Sequence, residues 1–168
     1  MDLITALAVS IGALGAIATY VFLAFLPGLH VWAAFIAWAS FYGCGGKTAG
    51  LTASLAANIF GAVCAWIALL ATTKFLAGAL GLPVGAAVAV GLTIVLLVMG
   101  AKIPALSAIP ATVYGYASTA ALFLLSEKTQ ALTAADLTNP LIAVVISMII
   151  GNIFGFVSEK VAGALVTA

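Results

Sequence analysis

The chain has 168 residues, of which 66% are hydrophobic and 5% charged, and its formal net charge is +1. A soluble domain carries about 25% charged residues, so this chain cannot cover a water-facing surface; its mean hydropathy of +1.37 places it in a bilayer. Its lysines, scattered at positions 47, 74, 102, 128 and 160, form no basic patch, which excludes a nucleic-acid partner.

In chain order, "MDLITALAVS" lacks the basic start and the cleavage site of a secretory signal. The first hydrophobic run, residues 3–26, is therefore expected to stay as a membrane helix, stopped by "PGLH". A spanning helix needs about 20 apolar residues. The second run, residues 31–43, is short and enters the glycine-rich "GCGGK". The third covers residues 48–72, and the stretch 75–82 either extends a neighbouring span or lies along the interface. The fourth runs from Pro83, a favoured first-turn residue, to Ala101. The fifth covers residues 110–125. The polar stretch "SEKTQALTAADLTNP" is a loop, and the sixth span covers residues 140–157 with its polar end at Ser158 to Lys160. In "KIPALSAIPATVYGY", Pro104 and Pro110 push the preceding residues out of the helical region. That stretch is either broken or re-entrant at membrane depth, shielded by protein or water, or a surface loop.

The expected fold is all-α, a single domain over residues 1–168 forming a polytopic transmembrane bundle of about six spans. Both termini then share one side with Lys47, Lys102 and Lys160, against Lys74 and Lys128 opposite, a balance that favours cytoplasmic termini.

The tetrapeptide Asn-Ile-Phe-Gly occurs at Asn58 in the third span and at Asn152 in the sixth. An odd and an even span run in opposite directions, so the copies suggest a 3+3 inverted pseudo-repeat, an arrangement in which transporters place their solute site between the halves. A second echo pairs "AWAS" ending at Ser40 with "GYAS" ending at Ser118. A primary amide within a span needs hydrogen-bond partners that lipid cannot supply. Asn58 and Asn152 are thus either interhelical glue or solute-path residues. Small residues at four-residue spacing, Ala57 and Gly61 in the third span, Ser147, Gly151 and Gly155 in the sixth, Ala8, Gly12 and Ala16 in the first, mark packing faces within the chain or between subunits.

No set of side chains suits catalysis, so the chain reads as no enzyme and calls for no cofactor or metal. Cys44 and Cys64 read as small buried hydrophobes, and His30 as an interfacial residue beside Trp32. Without a charge at the centre of any span there is no machinery for proton or sodium coupling. The reading is a passive channel or facilitator for a small neutral polar solute, in the lipid bilayer and as a homo-oligomer; the alternative is a non-transporting scaffold or assembly partner.

"WAAFIAWASFYGCGGKTAGL", "SAIPATVYGY" and "IIGNIFGF" resemble the YcdZ-like inner membrane proteins of bacteria. That resemblance implies a multi-pass protein of the bacterial inner (cytoplasmic) membrane and brings no catalytic residues. "IPALSAIPATVYGY" and "AGLTASLAANIFGAV" are similar, more faintly, to one half of a urea transporter. This likeness implies a solute path at Ser107, with Thr112 beside it, although Ala111 stands where that family has a phenylalanine; Tyr114, in the same stretch, is a further solute-path candidate.

Overall fold

The computed structural model describes residues 1–126 and 129–166. Helix α1, Leu3–Phe25, starts at Asp2, whose carboxylate accepts the Thr5 N–H at 3.0 Å as an N-cap. Helix α2, Val31–Gly43, is followed by a tight reversal through Gly45 (φ +90°) and Gly46 (φ +66°), conformations that a side chain disfavours. The glycines therefore build the turn and do not lengthen the helix. Helix α3, Lys47–Ala71, passes through a π-helical turn at Thr72–Leu76 into the short α4, Ala77–Leu80. The result is one 34-residue rod, Lys47–Leu80, so the stretch after Lys74 extends the third span.

Gly81 (φ +78°) ends that rod, and α5, Leu82–Gly100, follows with proline in its first turn. Residues Pro104–Leu106 form a single 3₁₀ turn before α6, Ile109–Ser126. The two-proline stretch is thus a connection between helices, with Pro104 exposed and Pro110 in the first turn of α6. Helix α7, Pro140–Leu165, is capped by Asn139 and continues about two turns past the expected end, carrying Ser158, Glu159 and Lys160 within it. Lys128, expected at the opposite side, lies outside the described residues.

Five helical segments are long and apolar enough to cross a bilayer, and α2 is a shorter apolar helix. The protein is a multi-pass integral membrane protein. The Met1 ammonium lies 3.4 Å from the Leu165 carbonyl, and Lys47 N–H donates to Glu159 Oε2 at 2.7 Å, so both termini and the α2–α3 turn share one end of the bundle. At the other end His30 N–H donates to Ser147 Oγ at 2.9 Å, and Trp66 Nε1 to the Leu132 carbonyl at 2.8 Å.

The packing has the inverted 3+3 form. Helix α3 packs most extensively on α6, and α2 next most extensively on α7. Exchanging α1–α3 for α5–α7 turns each of these contacts into the other. The same exchange turns α1 against α7 into α5 against α3, and the slight α1–α2 contact into the equally slight α5–α6 contact. Helices α3 and α7 cross at the centre. Their sequence offset of 94 exceeds the 78 between α2 and α6 because α6 and its connection to α7 are longer than their counterparts.

Candidate functional site

The two echoed asparagines meet where α3 crosses α7. Asn152 Nδ2 donates to Asn58 Oδ1 at 3.0 Å and to its own helix at Met148 O, also 3.0 Å. Asn58 Nδ2 donates to Ala111 O at 2.8 Å and to Ser40 Oγ at 3.1 Å. Ser54 Oγ lies 2.8 Å from Ser40 Oγ and 3.2 Å from Asn58 Oδ1. All four side chains are at most 1% exposed. Asn58 thereby ties α3 to α2, α6 and α7, with both donors and its acceptor engaged. Asn152 uses both donors, but its Oδ1 is buried without a hydrogen-bond partner among the described residues.

Glycines let these helices approach so closely. A Cβ at Gly61 would meet the Thr112 carbonyl, one at Gly115 the Asn58 carbonyl, and one at Gly151 the Ala34 carbonyl, each well inside van der Waals contact. Gly155 lies under the Phe41 ring, 2.9 Å from where its Cβ would be. The stripes on α3 and α7 therefore serve packing within the chain. On α1, by contrast, Ala8, Gly12 and Ala16 are exposed, with nothing within 4 Å of a Cβ at Gly12.

The second echo occupies matching places. Trp38 Nε1 donates to Ser158 Oγ at 3.0 Å, and its counterpart Tyr116 shares a core cluster with Cys64, the counterpart of Ser158. Cys64 is buried and Cys44 half-buried, both with free thiols. His30 lies beside Trp32, ring centroids 5.7 Å apart, and partial burial lowers the pKa of its imidazole, which favours the neutral form.

A groove follows the antiparallel pair α2 and α6. One part, about 540 Å³, is lined by Trp32, Ile36, Ala39, Tyr114, Ala117, Ser118 and Ala121. A second, about 140 Å³, continues toward the termini between Ser40, Gly43, Cys44, Ala108, Pro110, Ala111 and Tyr114. Tyr114 belongs to both walls and is 41% exposed. No lining residue is charged. Thr112 is buried with its hydroxyl returned to Ile109 O at 2.7 Å, and exposed Ser107 donates to Pro104 O at 2.9 Å in the α5–α6 connection. The fold thus brings Asn58 and Asn152 together and puts Tyr114 in the groove, while Ser107 stands apart. Ser40 and Ser118 were visible only as the last letters of the second echo. The place of Ser40 beside the Asn58 amide required the pairing of α2 with α3.

The chain belongs to the family described as "Protein of unknown function (DUF1097)", which matches residues 8–163. No curated protein and no solved structure matches it.

Proposed function

We propose that this membrane protein is a passive facilitator for a small neutral polar solute of the urea, amide or polyol class, and that the solute moves along the groove between α2 and α6. The observation that carries the reading is the groove itself. It extends along both helices, bears no charge on its lining, and exposes the Tyr114 side chain, with Ser40 and Ser118 buried in its wall. An uncharged, mostly apolar wall with one exposed phenol suits a small neutral solute and gives an ion nothing to replace its hydration. The faint likeness to half a urea transporter supports the same solute class, the YcdZ-like resemblance supports a bacterial inner membrane, and the lysine balance supports cytoplasmic termini. Ala39, Tyr114 and Ala117 are exposed along the groove, so the reading includes a homo-oligomer in which a second copy closes it. Ser107, exposed at the end of α5–α6, serves as an entrance residue.

Stopped-flow light scattering on proteoliposomes tests this. Wild-type protein is expected to speed acetamide or glycerol entry above that of empty liposomes. Ala117→Trp, which places a large ring in the groove from an exposed position, is expected to return entry to the liposome background. Wild-type vesicles no faster than empty ones would sink the facilitator reading. The second reading, a non-transporting scaffold, is favoured by the engagement of Asn58 in four contacts within the bundle, and would then stand.

A further inference from the structure

We propose that the space between α3, α5 and α6, at the end of the bundle away from the termini, is a phospholipid site. It takes one acyl chain lengthwise and sets the lipid phosphate beside Lys74. The site does not depend on whether a solute moves along the α2–α6 groove.

The space is a cavity of about 180 Å³. Its walls run from Thr73 to Ala65 on α3 and its π turn, from Leu82 to Val90 on α5, and from Leu124 to Tyr116 on α6. Each stretch covers eight residue steps inward from the same end of the bundle, about 12 Å at about 1.5 Å per residue. The cavity is therefore a slot parallel to the helices. Thr93 Oγ1 and Tyr116 Oη lie 3.0 Å apart and join α5 to α6 at its inner end. The Thr73 hydroxyl is returned to Leu69 O at 2.8 Å. With these hydroxyls engaged inside the protein, nearly all of the wall is apolar.

Depth identifies the occupant. Lys74 stands 27 positions after Lys47 in the continuous rod Lys47–Leu80, about 40 Å along a helix. A bilayer measures about 40–45 Å with its headgroup regions included, so the two lysines stand at the two headgroup levels. Lys74 is exposed on the π turn, next to Thr72 and Thr73 at the outer end of the slot. Single π turns recur at functional sites. The slot thus begins at headgroup level and runs inward along the helices, the course of an acyl chain in one leaflet. Sideways it meets the bilayer at exposed Leu82, Val90 and Leu124, where α5 and α6 touch only slightly. A dry apolar cavity of about 150 Å³ accepts a molecule such as benzene, so this one has room for a run of methylenes. Water would find too few partners there, whereas a chain gives up no hydrogen bond on entering. The Lys74 ammonium supplies the charge that a phosphate matches.

The test is native mass spectrometry of the full chain in detergent, titrated with palmitoyl-oleoyl phosphatidylethanolamine. A parallel titration uses dioleoylglycerol, which has chains but no phosphate. Wild-type protein is expected to retain one phospholipid saturably. Ala120→Phe brings a ring into the slot from a half-buried position on α6. It should weaken binding about tenfold or more, the effect of displacing two or more methylenes. Its melting temperature in lipid-free detergent should be unchanged or raised, because the cavity is filled. Ala86→Leu, from the α5 wall, makes the same test should the first variant fail to fold. Leu92→Phe, exposed elsewhere on α5, should bind as wild type does. Lys74→Gln should weaken phospholipid about two- to fivefold, the worth of an exposed ion pair, and leave dioleoylglycerol unaffected. Phospholipid binding that is unsaturable in wild type, or that survives the cavity-filling variants, would overturn the site. Undiminished binding by Lys74→Gln would overturn the place of the phosphate.

Discussion

At the residue scale, Asn58 does more than Asn152, although the sequence presents them as equals. Asn58 joins four helices through Ser40, Ala111 and Asn152, whereas Asn152 spends one donor on its own helix. Removing Asn58 strands several buried partners, each costing about 1–3 kcal/mol if left unpaired. Asn58→Leu should therefore lower stability by about 2 kcal/mol or more, and Asn152→Leu by less. Denaturant titrations in matched detergent would show the order, and equal losses would contradict it. A charged residue gives a separate test. Asp2 is held below the usual carboxylate range first by the Thr5 hydroxyl and then by the Thr5 N–H. A depressed folded value means the cap contributes fully above the unfolded value, about 3.9, and its contribution fades as pH falls through the lower folded one. Amide exchange in the first turn of α1 should rise in that acidic window, and Asp2→Asn should flatten the response.

At the scale of elements, equal-looking glycines separate by what lies opposite them. Gly61→Ala drives a methyl into the Thr112 carbonyl, a backbone atom that cannot move aside. The expected cost is about 1–3 kcal/mol, the range for overpacking. Gly12→Ala meets nothing within 4 Å, so its stability should stay within about 0.5 kcal/mol of wild type or gain slightly from helix propensity. Parallel thermal scans of the two variants decide this. Helix α3 supplies a third case. Its first residue, Lys47, has φ +57°, and the carboxylate of Glu159 on α7 accepts its N–H. Glu159→Ala removes a cap supplied by another helix and should cost about 0.5–2 kcal/mol, read as early loss of protection in the first turn of α3. From the sequence Glu159 was an interfacial charge. Its partner lies 112 residues away, beyond any local pattern.

At the scale of the whole molecule, Lys47 and Lys160 fall at the end that holds both termini, and the alternation of helices assigns Lys102 to that side and Lys74 to the other. Single cysteines at exposed positions 102 and 74, in a background lacking Cys44 and Cys64, should react with an impermeant maleimide from opposite faces of sealed vesicles. Labelling from the same face would contradict a crossing by α5, Leu82–Gly100. The sequence by itself determined the membrane setting, the all-helical class and the order of the hydrophobic runs, and it suggested the inverted relation of the two halves, which the helix pairing then showed. It could do so because hydropathy, proline and glycine act over a single turn or a single span, and because a repeat is written in the letters. Span ends were less legible, since a π turn after Ala71 and buried Ser158 let α3 and α7 run on past their polar residues. Only the tertiary structure decided what the asparagines and serines touch. A buried amide is compatible with any polar neighbour, and which one it meets depends on helices far apart in sequence being packed at glycine distance. Ser40 and Ser118 carry the same local letters, yet Ser40 is bonded to Ser54 and Asn58, whereas Ser118 Oγ has no hydrogen-bond partner among the described residues and Met148 stands at the counterpart of Ser54.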